Sequence, residues 1–272
     1  MNAQAALIEA ARRLAQTSDT PRLDAELLMA HALGIERERL LLDPPHGPVP
    51  LTFEALLARR LAHEPIAYIV GHRAFWTIDL AVGPGVLIPR PDSETLIEAA
   101  IDHFGGRAPT RILDMGVGSG ALLLAALAEW PDATGLGVDQ SEAALAIARA
   151  NAERLGMGDR ARIERGGWDA GSAGTFDLIL CNPPYIECEA VLPPDVADYE
   201  PASALFAGSD GLDDYRLIAP ALRLPPGGVV CLEIGSTQGP AVRTLLEVAG
   251  LDTQIRTDLA GRDRCVVATP RA

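Results

Sequence analysis

From Arg111 onward the hydrophobic pattern alternates between short apolar runs and longer helical periods. This alternation limits the possible folds more than any other feature of the chain. Strand-like runs lie at "RILDM" (Arg111–Met115), "TGLGVD" (Thr134–Asp139), "ARIER" (Ala161–Arg165) and "FDLILC" (176–181). Helical stretches over Ala121–Glu129 and 141–155 separate the first three. Parallel strands require such crossovers, so the pattern predicts an α/β fold with a mostly parallel sheet and helices on both faces. A helix near 213–224, a strand "GGVVCLEIG" and a helix near 238–249 continue it. The final runs, "DTQIRT" and "DRCVVAT", have no helix between them, which predicts an antiparallel closing pair.

The N-terminal part is built differently. Leu7, Ile8, Ala11 and Leu14 follow a 3.6-residue period. A second helix fits Pro21–Leu33, with proline in its first turn and Gly34 at its C-terminal cap. "LDPPHGPVP" breaks the chain, and Thr52 is expected to cap another helix running through residue 62. These amphipathic segments predict a small helical bundle. Three regions result: a helical domain at 1–65, an extended linker at 66–90 with a hairpin near 74–82, and the α/β domain at 91–272. Tyr68, Phe75 and Trp76 are expected to pack the hairpin.

The 272 residues suffice for one large domain, or for a typical domain plus a small one. A formal net charge of −14 disfavours a protein that grips nucleic acid through its phosphates. Cys181, Cys188, Cys231 and Cys265 show no C-x-x-C spacing and read as reduced, mostly buried thiols of a reducing compartment. The first sixteen residues contain Glu9 and lack a continuous apolar core, unlike a signal peptide. A cytoplasmic protein is expected. His31, His46, His63, His72 and His103 lack metal-ligand spacing and read as surface or packing residues.

"RILDMGVGSGALLLAALA" reads as strand, glycine loop and helix. Gly116, Gly118 and Gly120 permit a tight turn and close approach of a ligand to the backbone. Asp139 closes the next strand, about 20 residues on, where an acid can accept both hydroxyls of a ribose. The G-x-G-x-G form, preceded by Asp114, resembles the loop of S-adenosylmethionine-dependent methyltransferases, in which a carboxylate can hold the ammonium group.

Asn182-Pro183-Pro184-Tyr185 follows the strand "FDLILC" directly. In an open α/β sheet, ligands bind beyond the carboxyl ends of the strands, so this tetrapeptide shares an edge with the glycine loop. A planar amide or aryl amine nitrogen delocalises its lone pair and is a poor nucleophile. Two acceptors gripping its N–H bonds would aim that lone pair. The Asn182 side-chain oxygen and the Pro183 carbonyl are suitable, and proline stiffness preorganises them. Tyr185 can pack its ring against the planar group. Arg90 and Glu94 in "IPRPDSE" could line the cofactor pocket or pair at a helix start. Glu187, Glu189, Asp195, Asp198 and Glu200 make an acidic stretch, either a solvated loop or a feature that repels phosphate backbones.

Together "EPIAYIVGHRAFW", "VLIPRPDSE", "ILDMGVGSG", "NPPYI", "YEPASALFAGSDGLDDYR", "LEIG" and "DLAGRDR" resemble the peptide chain release factor glutamine methyltransferase family over nearly the whole chain. That resemblance implies a small helical substrate-recognition domain joined by a hairpin to a seven-stranded Rossmann-like methyltransferase domain. It implies transfer of a methyl group from S-adenosylmethionine to the glutamine amide nitrogen in the Gly-Gly-Gln motif of class I release factors. Gly116, Val117, Gly118, Ser119, Gly120, Asp139, Trp168 and Asn182 would then hold the cofactor, with Trp168 near the adenine. Asn182, Pro183, Pro184 and Tyr185 would hold the substrate glutamine, with Asn182, Pro183 and Tyr185 catalytic. A ribosomal-protein glutamine methyltransferase, an adenine-amino DNA or RNA methyltransferase and a non-catalytic cofactor-binding module remain as alternatives. No membrane and no direct nucleic-acid partner are expected.

Overall fold

The computed structural model describes residues 3–43 and 47–271. His46 lies outside them. The chain forms two compact units: residues up to His72 with Leu192–Tyr199, and Arg73–Val191 with Glu200–Ala272.

The first unit is helical. Helix α1 (Ala3–Leu14) buries Ala3, Ala6, Leu7, Ala10 and Leu14, a stripe at helical spacing. Helix α2 (Pro21–Leu33) starts on proline and ends at Gly34, whose φ of 63° is the left-handed cap a side chain would resist. Helices α3 (Arg37–Leu42), α4 (Leu51–Leu61) and α5 (Ile66–Val70) complete the set. Thr52 lies inside α4, whose N-cap is Pro50, so the expected threonine cap is not formed. The stretch read as an extended linker begins with helix α5. Leu7, Leu14, Leu28, Met29, Leu40, Phe53, Leu57 and Ile69 share one apolar core. Beside it the buried Arg60 guanidinium donates to Asp24 at 2.7 Å.

A hairpin follows at the start of the second unit, β1 (His72–Phe75, its first residue still within the first unit) and β2 (Ile78–Ala81), turned at Trp76 with φ 53°. A 3₁₀ turn at Pro91–Ser93 leads into α6 (Glu94–Phe104). Then come β3 (Arg111–Met115), α7 (Ala121–Glu129), β4 (Thr134–Asp139), α8 (Glu142–Arg154), β5 (Ala161–Arg165) and β6 (Leu178–Cys181). The chain returns to the first unit over Leu192–Tyr199, which holds the single turn α9 (Pro194–Ala197). There the Tyr199 hydroxyl donates to the Ala62 carbonyl at 2.6 Å. Helix α10 (Asp213–Ala221), β7 (Val229–Glu233), α11 (Gly239–Val248), β8 (Leu251–Thr257) and β9 (Asp263–Pro270) follow.

Among the described residues the main sheet has seven strands in the order β5-β4-β3-β6-β7-β9-β8. Strands β3 to β7 pair in parallel, and β9 runs antiparallel to both β7 and β8, as the closing pair predicts. Leu113, Met115, Ile179, Val230 and Leu232 cover one face and pack with Tyr215 and Ile218 of α10 and Val242 and Leu246 of α11. Ile112, Leu178, Leu180 and Cys231 alternate with them, on the other face, and are fully buried. The strand order reverses at β3, with β4 on one side and β6 on the other, and such a switch point opens a crevice at the strands' carboxyl ends. No helix among the described residues is long and apolar enough to cross a membrane.

Candidate active site

At the end of β3 the backbone turns through Gly116 (φ 77°), Gly118 (φ 53°) and Gly120 (φ 90°). The Gly116 and Val117 amides both donate to the Val138 carbonyl at 2.9 Å, tying the loop to β4. A β-carbon on Gly116 would stand 3.3 Å from the Trp168 indole, so the glycine lets the ring close over the loop. Asp139 accepts from the Gly118 amide at 3.0 Å and from the Ser141 amide at 2.9 Å, which fixes both carboxylate oxygens and leaves lone pairs on each.

Asp114 is almost fully buried. Its Oδ2 accepts from the Leu123 amide at 3.1 Å, while its Oδ1 has no hydrogen-bond partner. Burial, reinforced by the nearby Asp139 charge and opposed by the Leu123 amide, raises its pKa to about 7. Trp168 begins a 3₁₀ turn, and its indole N–H donates to Asp214 at 2.8 Å.

The tetrapeptide leaves β6 beside this loop. Asn182 donates through Nδ2 to the Ser93 hydroxyl oxygen at 3.2 Å, which turns its acceptor, Oδ1, the other way. Pro183 and Pro184 are buried. The Tyr185 hydroxyl donates to Glu233 at 3.3 Å, and its ring packs against the core beneath the sheet edge. Gln238 donates from one amide to the carbonyls of Tyr185 (3.0 Å) and Gly211 (3.1 Å), pinning the turn from behind.

A pocket of about 240 Å³ lies over these strand ends. Its wall includes Gly116, Val117, Gly118, Ser119, Asp139, Trp168, Asn182 and Pro184. Gly120, Pro183 and Tyr185 are not on that wall: Gly120 is the N-cap of α7, and the Tyr185 hydroxyl reaches Glu233. Arg90 lines the pocket and pairs with the buried Glu200, not with Glu94; Glu94 accepts from the Trp76 amide at 2.8 Å. Glu200 is thus not part of a solvated acidic loop, whereas Glu187 and Glu189 are exposed. The described residues contain no cluster of three or more potential metal ligands. A buried carboxylate oxygen without a donor, a glycine cradle and an acid with free lone pairs are what the ammonium, backbone-hugging and ribose parts of S-adenosylmethionine require.

Comparison with known proteins shows the family. The family model described as PrmC N-terminal domain matches residues 5–71, and that described as methyltransferase small domain matches residues 92–196. The release factor glutamine methyltransferase of Rhodospirillum rubrum is 47% identical over 263 residues, covering 93% of this chain and 80% of the relative. That of Cereibacter sphaeroides is 45% identical over 280 residues and covers 98% of each chain. The chain belongs to the release factor glutamine methyltransferase family.

Membership makes the chain a methyltransferase, and its sheet has the fold of S-adenosylmethionine-dependent enzymes. A T. thermophilus 16S rRNA methyltransferase (RsmC), in complex with AdoMet and guanosine, matches 74% of this chain and 50% of its own with a TM-score of 0.51 at 24% identity. The hMettl16 catalytic domain matches 71% of this chain and 76% of its own with a TM-score of 0.52 at 15% identity. Both likenesses concern the fold alone. Sequence reasoning missed Ser93 and Asp214, which line the pocket, and Glu233, which accepts from Tyr185 behind it. A signal existed for Glu233, an acid interrupting the apolar run "VVCLEIG". Ser93 and Asp214 carried none, because serine and aspartate at a helix start read as caps.

Proposed function

We propose that this methyltransferase acts in the cytoplasm on a class I release factor, methylating the amide nitrogen of the Gly-Gly-Gln glutamine with S-adenosylmethionine. The observation that carries the reading is the orientation of Asn182, whose amide nitrogen is engaged by Ser93 and whose oxygen is therefore the acceptor at the pocket wall. In this reading Gly116, Val117, Gly118, Ser119 and Gly120 cradle the cofactor, Asp139 takes the ribose hydroxyls, Asp114 the ammonium, and Trp168 covers the adenine. When bound, the cofactor supplies an electrophilic methyl group. Asn182 Oδ1 and the Pro183 carbonyl accept the two N–H bonds of the substrate amide and aim its lone pair, a positioning effect that needs no prior base. The proton leaves once the nitrogen carries the methyl and has become acidic. Tyr185 supports this grip from behind through Glu233. The helical unit, matched by the family's N-terminal domain model, serves substrate recognition.

The test is incubation with S-adenosylmethionine and a class I release factor, followed by peptide mass spectrometry. One added methyl on the Gly-Gly-Gln glutamine is expected. An unmodified glutamine beside a working positive control overturns the proposal, as does labelled methyl found in nucleic acid or ribosomal protein instead.

A further inference from the structure

Helix α8 turns one polar side chain inward. Asn151 is fully buried, on the same stripe of the helix as Ala144 and Ala148. Its amide bonds three backbone groups. Oδ1 accepts from the Ala81 amide at 2.8 Å, and Nδ2 donates to the Ala81 carbonyl at 2.9 Å. The side chain thus pairs with the last residue of β2 as a neighbouring strand would. Nδ2 also donates at 2.9 Å to the carbonyl of Ser119, inside the glycine loop and on the pocket wall. Both Nδ2 hydrogens are therefore engaged. The reversed amide would set its NH₂ against the Ala81 N–H and its oxygen against two carbonyls, so the backbone fixes its polarity. Arg154 donates to Oδ1 at 3.4 Å and pairs with Asp79, which ties α8 to β2 a second time.

We propose that Asn151 is a positioning residue that locks the cofactor loop in its binding form before the cofactor arrives. The Ser119–Gly120 peptide is where the loop can most easily change shape. Gly120 sits at φ 90°, and glycine adopts negative φ about as readily, so this peptide plane can turn over at little cost. Two bonds oppose that turn. The Gly120 amide donates to the Val117 carbonyl at 2.7 Å, and the Ser119 carbonyl accepts from Asn151. The first bond lies within the loop and moves with it. The second reaches a helix and a hairpin outside the loop, so it fixes the plane relative to its surroundings. The loop comes close to α8 at this point: a β-carbon on Gly120 would lie 3.7 Å from the Ala148 α-carbon.

A loop already in its bound shape binds more tightly, because its ordering is settled on folding and not on binding. That gain concerns the cofactor and not the transfer step. Asn151 therefore sets cofactor affinity and leaves kcat to the Asn-Pro-Pro-Tyr turn. This inference rests on the reading of Gly116–Gly120 as the cofactor cradle.

Two measurements test this on the full-length protein. In the first, calorimetry gives the Kd of S-adenosylmethionine, without substrate, for wild type, Asn151→Ala, Asn151→Asp and Val242→Ala, each checked as folded by circular dichroism. Asn151→Asp keeps an acceptor for Ala81 and loses the NH₂ group. Both Asn151 variants should weaken Kd at least tenfold, with kcat at saturating cofactor within threefold of wild type. Val242 is fully buried in α11, and Val242→Ala should lower the melting temperature yet leave Kd within twofold. The second measurement needs no variant. In cofactor-free wild type, the Asn151 NH₂ hydrogens, assigned by through-bond NMR, should exchange with solvent at least a hundredfold more slowly than those of a free asparagine. Adding cofactor should change that rate less than threefold. Exchange at the free rate without cofactor overturns the lock. So does a folded Asn151→Ala whose Kd stays within threefold of wild type, or an equal loss of affinity in Val242→Ala. A wild-type protein that binds no S-adenosylmethionine overturns the cofactor reading, and the exchange rate still decides whether the loop is held.

Discussion

Asp114 carries a charge that the fold resists, and pH should reveal it. Its pKa, raised by burial to about 7, means the native state holds a proton that the unfolded chain has already lost above about pH 4. Stability should therefore fall as pH rises from 4 to 7. Without cofactor, Asp114→Asn should melt higher than wild type at pH 8, by on the order of 5 °C, with the gap closing towards pH 5 in calorimetry. Binding of an ammonium group should expel that proton, so cofactor Kd should weaken up to about tenfold per pH unit below 7 in wild type and not in Asp114→Asn. Asn182→Ala removes the proposed acceptor itself. Methyl transfer should drop by about 10²–10³-fold while calorimetric cofactor affinity stays within about threefold. At this scale the turn at Gly116 and Gly118 and the place of Asp139 beside it were legible, because few residues other than glycine permit that backbone. Ser93 and Asp214 were not, because their roles depend on partners 89 and 46 residues away in sequence.

The strands were the most readable elements. Three runs, at Arg111–Met115, Thr134–Asp139 and Ala161–Arg165, coincide with β3, β4 and β5, because a strand in a covered sheet is a short apolar run with clear ends. Helices α3 and α5 escaped notice because six and five residues are too few for a 3.6-residue period to show. The Thr52 cap failed because the helix begins one residue after Pro50, with Thr52 already within its first turn. The loop before α10 offers a sharper test. Gly211 has φ 68°, and a β-carbon there would lie 2.3 Å from the Tyr185 carbonyl oxygen. Gly211→Ala should cost about 1–3 kcal/mol and lower kcat by displacing the Asn-Pro-Pro-Tyr turn. Gly250 has φ 91° with open space around it. Gly250→Ala should show backbone strain in its melting temperature and an unaltered kcat.

On the scale of the whole molecule, the α/β class, the antiparallel closing pair and the helical N-terminal region were all visible in sequence. The return of Leu192–Tyr199 to the helical unit was not. It depends on tertiary bonds such as Tyr199 to Ala62, which leave no periodic trace. Arg60 anchors that unit: it is 7% exposed, pairs with Asp24 at 2.7 Å and lies 3.7 Å from Asp195. Arg60→Ala strands a buried carboxylate and should destabilise the helical unit by about 3–5 kcal/mol, measurable as faster hydrogen exchange in α1, α2 and α4. The thiols give the protein a built-in optical gauge. Cys181, Cys231 and Cys265 are fully buried, and burial holds the first and last in their unreactive protonated form, while Cys188 is exposed a few residues beyond Asn182. A thiol-specific dye added to the native enzyme should therefore colour one cysteine, a short stretch of chain after the Asn-Pro-Pro-Tyr turn. The other three should take it up only as the sheet comes apart, so that one titration counts intact molecules and a single attached fluorophore watches the substrate arrive.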